Sequence, residues 1–260
     1  RYLEHWEADQ EHVRGDDELN QSILDMEISL MFTSVSITLA QNGEIESSLE
    51  VCERGRGRAT VDLLETRAGV PHKSLTAADI RAIASRLNTF IVVYSFSPFD
   101  TRKSNQRQTG VDFVEPHLFI WAVPPSLDQP ITFRDLHNEL TESFAPVILG
   151  ARKSLGILDP LGRNFEGEEA DDGQPLPENS LDILYNLLIE PIEDTLPKET
   201  DLSTLTIVPD QFMYLVPWAA LLDQKTNRFL VEKHTFSIVP CVRLLELLPA
   251  TIPITRSSNS

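Results

Sequence analysis

One stretch of the chain, residues 204–222, limits the possible folds more than any other. It opens with a short apolar run that contains β-branched side chains: Leu205, Ile207 and Val208. This composition is typical of a strand in the interior of a sheet. Pro209 and Asp210 follow directly and predict a turn, because proline fixes φ and aspartate favours turns.

The second half of the same stretch predicts a short strand and then a helix. Residues 214–216 are mostly apolar, and we expect them to be extended. Pro217 is suited to the first position of a helix, where its missing N–H costs nothing. The apolar residues 218–222 would then form one helical turn, in which Trp218 is expected to be buried.

The rest of the chain predicts further strands and helices, which together indicate an α/β fold. Strands are predicted at residues 90–96, 118–123, 131–133 and 234–239. Residues 76–88 form the clearest helix, since Thr76 and Asp79 match a capping box and Asn88 can close its C-terminus. Three weaker helices are predicted: residues 136–151 with an interruption at Pro146, residues 181–192 with a kink or early end at Pro191, and residues 244–247.

Two N-terminal helices are predicted ahead of this α/β region. Apolar residues recur with a period near 3.6 up to Leu39, and Asn42-Gly43 ends the first helix. The second helix would run on through the arginine-rich block 53–59. That block has two interpretations: a site for an anion or a nucleic acid, or a charged helix face that pairs with nearby acids.

Residues 161–179 are acidic and contain few apolar side chains. Such a composition cannot offset chain entropy by burial, so we predict a disordered acidic loop. A calcium site is the alternative, but the carboxylates lack the EF-hand spacing and its required glycine.

Composition excludes several classes of function. The net charge of −18 opposes binding to nucleic acid or to an anionic membrane, because phosphates would be repelled. No apolar run is long enough to span a bilayer, and no signal peptide is recognisable. Two cysteines cannot form a disulfide framework, which fits a reducing compartment and predicts a cytoplasmic protein.

Several blocks, in one order and spacing, resemble the CHAT domain, the caspase-like module found after tetratricopeptide repeats. The most specific are LYNLLIEPIE at residues 184–193, the stretch 204–222, and FSIVP at residues 236–240. Upstream blocks also fit the family: LAQNG at residues 39–43, IVVYSF at 91–96, LFIWAV at 118–123 and ITFR at 131–134.

This resemblance implies a caspase-like α/β half-domain preceded by a tetratricopeptide-like helical hairpin. It divides the chain into repeat-like helices at 1–70, a connecting α/β layer at 71–160, the acidic loop at 161–179 and the first half of the caspase-like core at 180–260. We expect a fragment of a longer protein, with more repeats before Arg1. The family's catalytic His-Gly and cysteine motifs would follow Ser260.

None of the chain's own cysteines and histidines is predicted to be catalytic. Cys52 is expected in the core of the second helix. Cys241 and His234 would point to opposite faces, so they should not form a dyad. The other histidines show no metal spacing: His5, His12, His72, His117 and His137. His5 and His12 could share a helix face, which we interpret as solvated.

No serine-hydrolase or nucleotide-binding motif occurs, and we predict no catalytic, metal or cofactor residue in this chain. The expected function is to join protein-binding helical repeats to the missing catalytic half of a cysteine endopeptidase. The alternative is a protein-interaction scaffold with no peptidase activity in any part. A His-Gly block and a cysteine block downstream would favour the enzyme.

Overall fold

The computed structural model describes residues 31–56, 61, 65–67, 69, 73–97, 117–136, 144–157, 176–198 and 201–247. The predictions for residues 1–30 and for most of the acidic loop lie outside these ranges. So do His5, His12, His72 and His137.

The described residues form both helices and strands, which do not alternate regularly along the chain. The strands are β1 Thr89–Ser97, β2 His117–Val123, β3 Thr132–Asp135, β4 Thr204–Val208, β5 Leu222–Asp223, β6 Arg228–Phe229 and β7 Phe236–Ile238. The helices are α1 at residues 31–41, α2 Ile45–Arg54, α3 Ala77–Leu87, α4 Phe144–Ser154, α5 Ser180–Leu188, α6 Leu230–Lys233 and α7 Arg243–Leu247. Three 3-10 helices cover Glu190–Thr195, Gln211–Leu215 and Trp218–Ala220.

Five strands form one mixed sheet in the order β3-β2-β1-β4-β7, and β5 pairs with β6 in a separate hairpin. β1 pairs in parallel with β4, and β4 in parallel with β7. β2 and β3 extend the sheet in antiparallel fashion on the other side of β1. The sheet therefore joins strands from the predicted connecting layer with strands from the predicted caspase-like core.

Alternate residues of β1 point to opposite sides of the sheet, and each side has its own apolar core. On one side Val92 and Tyr94 belong to a core with α4, α5 and Trp218. On the other side Ile91 and Val93 belong to a core with α1, α2 and α3. The sheet is therefore the middle layer of three, and the N-terminal helices share a core with it.

The predicted capping box of α3 is confirmed. The backbone N–H of Asp79 donates to Thr76 Oγ1 over 3.2 Å, and the backbone N–H of Thr76 donates to Asp79 Oδ2 over 3.0 Å. Asn88 closes the helix in the left-handed conformation with φ 48°. Hydrogen bonds from Lys73 and from Thr76 lower the pKa of Asp79 to about 2.

Helices α1 and α2 form an antiparallel hairpin, and the turn between them lies at Asn42-Gly43, as predicted. Gly43 has φ 82°, a conformation that glycine adopts without strain. Buried Ser36 and Ser48 tie the helices together, since each hydroxyl donates to the backbone carbonyl of the other residue. That this hairpin is a tetratricopeptide repeat stays a prediction.

The prediction that α2 continues through the arginine-rich block is wrong, because α2 ends at Arg54. Gly55 lies so close to Phe32 that an added Cβ would be 2.6 Å from the Phe32 Cβ. Arg56 then turns inward and is 9% exposed at its side chain. Arg56 is therefore not part of a continuous helix face, although it does pair with an acid as that interpretation expects, since its Nε lies 3.5 Å from Glu53 Oε1.

The stretch 204–222 keeps its predicted strand but not its predicted second strand. Residues 211–215 form a 3-10 helix, in which the backbone N–H of Met213 donates to the carbonyl of Asp210 over 2.8 Å. Met213 is fully buried whereas Tyr214 is 47% exposed. Burial returns at Val216, three residues after Met213, which matches three residues per 3-10 turn rather than the two-residue period of a strand.

Two prolines, Pro146 and Pro191, lie where the sequence predicts a break in a helix. α5 ends at Leu188 and a 3-10 helix begins at Glu190, which confirms the early end predicted from Pro191. Pro146 lies within the described part of α4, Phe144–Ser154, which continues past it, so no interruption occurs there, contrary to our prediction. Residues 137–143 of the predicted helix lie outside the described ranges.

Candidate functional site

The carboxyl ends of the three parallel strands come together at one edge of the sheet. In open α/β sheets this edge commonly forms a ligand-binding crevice. The last paired residues of β1 and β4 are Val93 and Val208, and the β7 ladder ends at Ile238. We call the polar group at this edge the strand-end cluster: Cys52, Glu53, Arg56, Tyr94, Pro209, Asp210 and Val242.

Arg56 is at the centre of the strand-end cluster. Its Nη1 donates to the carbonyl of Pro209 over 2.9 Å, and its Nη2 donates to the carbonyl of Tyr94. Nε and Nη2 also donate to Cys52 Sγ, over 3.3 and 3.2 Å. Burial alone would lower the pKa of Arg56, but Cys52, Asp210 and Glu53 together raise it. One guanidinium therefore bridges the ends of two neighbouring strands.

Glu53 connects the same cluster to the segment after β7. Its Oε2 accepts the backbone N–H of Val242 over 2.7 Å, and its Oε1 lies 3.5 Å from Arg56 Nε. The side chain is 2% exposed. Burial raises the pKa of Glu53, and the effects of Arg56 and Val242 oppose that rise only in part.

Asp210 fixes the turn that follows β4. Its Oδ2 accepts the backbone N–H of Phe96 over 2.9 Å. Phe96 belongs to β1 and lies beyond the part of that strand that pairs with β4. Asp210 thus holds β1 to the turn after β4, while Arg56 holds both strands to the N-terminal helices. The turn role predicted for Pro209-Asp210 is confirmed, and their contacts with Arg56 and Phe96 are additional.

Both cysteines of the chain lie near the strand-end cluster, and both are buried. Cys52 is in α2, as predicted, and burial raises the pKa of its thiol. Cys241 packs with Val61 and Leu244, and burial raises its pKa to about 11. Both thiols therefore carry their proton at neutral pH, whereas a cysteine nucleophile reacts as the thiolate.

The described histidines occupy other parts of the fold. His234 is not on a strand, contrary to our prediction, because β7 begins only at Phe236. It follows the last residue of α6, and its backbone N–H donates to the carbonyl of Leu230, the first residue of that helix. His117 begins β2, is 1% exposed, and its Nδ1 lies 3.0 Å from Asp135 Oδ1. This pair was not predicted, because His117 and Asp135 lie just outside the strands predicted at residues 118–123 and 131–133.

A second polar group surrounds Lys233 and joins α5, α6 and the β5–β6 hairpin. Lys233 Nζ donates to Tyr185 Oη over 2.7 Å and to Asp223 Oδ2 over 2.9 Å, and it also contacts Glu193 Oε1. Burial alone would lower the pKa of Lys233, but hydrogen bonds to Glu193, Tyr185 and Asp223 raise it. We call these four residues the lysine cluster.

At the opposite end of the sheet is a groove of about 380 Å³. Its lining mixes apolar residues with carboxylates and one lysine, among them Phe90, Pro130, Asp194, Lys198 and Asp201. In the described ranges, no group of three or more metal-ligating side chains occurs. No helix in those ranges has the length and apolar character that crossing a membrane requires.

The protein has a mixed α/β fold with one five-stranded sheet. The strand-end cluster lies at the carboxyl ends of the parallel strands of that sheet. Residues 178–259 match the CHAT domain. The architecture is consistent with the caspase-like α/β fold that this match suggests. No curated protein and no solved structure matches the chain. The helical hairpin at residues 31–54 lies outside the matched segment.

Proposed function

We propose that this chain is the non-catalytic N-terminal part of a tetratricopeptide-repeat CHAT protein. In this role it couples protein-binding helices to a caspase-like cysteine peptidase half. The match of residues 178–259 to the CHAT domain supports the caspase-like part of the proposal. The partners would be a protein bound by the N-terminal helices and the catalytic half itself.

One observation carries the coupling. The end of α2 and the two residues after it contact the ends of all three parallel strands: Tyr94 in β1, Pro209 after β4 and Val242 after β7. Catalytic and ligand-binding groups of α/β proteins commonly occupy this edge of the sheet. A displacement of the helical hairpin would therefore move the strand ends directly, because they share buried hydrogen bonds.

The coupling predicts that a small destabilising substitution inside the hairpin makes the backbone at the strand ends more dynamic. Ser48→Ala removes a buried hydroxyl that donates to Ser36 over 2.7 Å, at a cost on the order of 1 kcal/mol. Amide hydrogen exchange should become faster at residues 94–97, 208–216 and 239–243, none of which Ser48 hydrogen-bonds.

Ser180→Ala is the matched control. Ser180 is also a buried serine, 1% exposed, and its hydroxyl donates to Pro177 on the other side of the sheet. Faster exchange in this variant should stay within α4, α5 and their surroundings. Equal acceleration of the strand ends in both variants would indicate general destabilisation and would refute the coupling.

We also expect the chain to hydrolyse no peptide bond by itself. Both thiols are buried and their pKa values are raised, which opposes formation of the nucleophilic thiolate. The test is incubation of the purified chain with a denatured protein mixture, with and without a thiol reductant. Cleavage that disappears in Cys241→Ala would contradict the proposal, whereas cleavage that survives both Cys52→Ala and Cys241→Ala would point to another mechanism or to a contaminant.

A further inference from the structure

We propose that the strand-end cluster is a binding site for a guanidinium group and that the chain's own Arg56 fills it as an internal ligand. The ligand class is therefore an alkylguanidinium, such as the side chain of arginine. This inference does not depend on the proposed function, since it concerns only the groups that surround Arg56.

The acceptors of the site come from separate parts of the chain and all contact the planar guanidinium of Arg56. The carbonyls of Tyr94 and Pro209 belong to the ends of β1 and β4, and Cys52 Sγ belongs to α2. A guanidinium presents its N–H groups in a rigid fork and can reach all three at once. An ammonium is a point charge on a single atom and would not span the same acceptors.

The site also holds an acceptor that Arg56 leaves unused. Glu53 Oε1 is buried and has no hydrogen-bond partner among the described residues, although it lies 3.5 Å from Arg56 Nε. A carboxylate usually binds a guanidinium through shorter, paired hydrogen bonds. A free ligand that is not tethered to residue 56 could therefore settle closer to this oxygen.

There is room beside Arg56 for such an adjustment. A cavity of about 30 Å³ adjoins the guanidinium, which is space for at least one water molecule. Its wall is formed by Glu53, Arg56, Val61, Ser74 and Leu75 and by three further cations, Arg54, Lys73 and Arg243.

The test is ligand rescue of an Arg56→Ala variant, which empties the site while retaining Cys52, Glu53 and both carbonyls. Thermal unfolding is followed by circular dichroism in millimolar ethylguanidinium chloride, with ethylammonium chloride at equal ionic strength as the comparison. Binding to the folded state should raise Tm by about 2–4 °C once the ligand exceeds its Kd several-fold. The same ethylguanidinium should leave Tm of the wild type unchanged, because its site is full.

Two further variants make the result decisive. Arg56→Lys fills the site with a side chain that lacks the fork, and it should show no rescue. Arg56→Ala combined with Glu53→Gln keeps the acceptor of the Val242 N–H but loses the charge, and its rescue should be weaker. Equal stabilisation by both cations, stabilisation of the wild type, or an Arg56→Ala chain that ethylguanidinium neither stabilises nor refolds would each overturn the proposal.

Discussion

Replacing Trp218 by alanine is expected to lower the free energy of unfolding by about 3–5 kcal/mol, the usual cost of truncating a large buried aromatic residue. Trp218 is 2% exposed and its ring centroid lies 5.2 Å from that of Tyr94. Its indole N–H donates to the carbonyl of Met213 over 3.2 Å. Truncation therefore opens a cavity in the core beneath β1 and removes one of the two donors to the Met213 carbonyl, which also accepts the backbone N–H of Val216.

Chemical denaturation monitored by circular dichroism measures this loss. Tyr214→Ala is the matched control, since it also truncates an aromatic residue of the 204–222 stretch but one that is 47% exposed. We expect that variant to lose about 1 kcal/mol or less. Similar losses in the two variants would show that Trp218 does not anchor this core.

Removing the amino group of Lys233 should have an effect of similar size, about 3–5 kcal/mol, because it leaves the buried carboxylate of Asp223 without its cation. The side chains of Lys233 and Asp223 are 11% and 4% exposed. Lys225→Ala is the control: Lys225 pairs with Glu190 but is 71% exposed, and exposed ion pairs contribute little to stability. A Lys233→Ala variant whose free energy of unfolding is no lower than that of Lys225→Ala would contradict this role of Lys233.

The same variant should change the acid sensitivity of the fold. Burial alone would raise the pKa of Asp223, but hydrogen bonds from Thr226, Lys233 and the Lys225 backbone lower it from 3.8 to about 2. Because the pKa is lower in the folded state, the ionised carboxylate stabilises the fold above pH 3.8, and this contribution is lost as the pH falls toward 2. Without Lys233 that loss should shrink, so wild type and variant should converge in acid.

Elements whose signals are local could be predicted from the sequence. The capping box of α3 needs only Thr76 and Asp79, and the hairpin break needs only Gly43, so neighbouring residues suffice to define both. The strands β1, β2 and β4 were likewise evident from short apolar runs. The 3-10 helix at residues 211–215 was not predicted, because so short an apolar run fits both the two-residue period of a strand and the three-residue period of a 3-10 helix.

The strand-end cluster could not be predicted, because its contacts are long-range. Arg56 contacts Pro209, which is 153 residues away along the chain, and Glu53 contacts Val242 at a separation of 189 residues. A charge count treats Arg56 as one of several surface arginines, and only the folded backbone turns it inward. One signal was available: Arg56 lies between Gly55 and Gly57, a spacing that weakens any continuing helix.

The central pairing of β1 with β4 affects how the chain acquires its structure during synthesis. Thr89 and Thr204 are register partners although 115 residues separate them. At about 5–20 residues per second, a ribosome needs roughly 6–23 s to produce the intervening chain. Throughout that interval the β4-facing edge of β1 is an unpaired strand edge, the kind of surface on which nascent chains aggregate. A chaperone that shields β1 until β4 emerges should therefore raise the yield of folded protein.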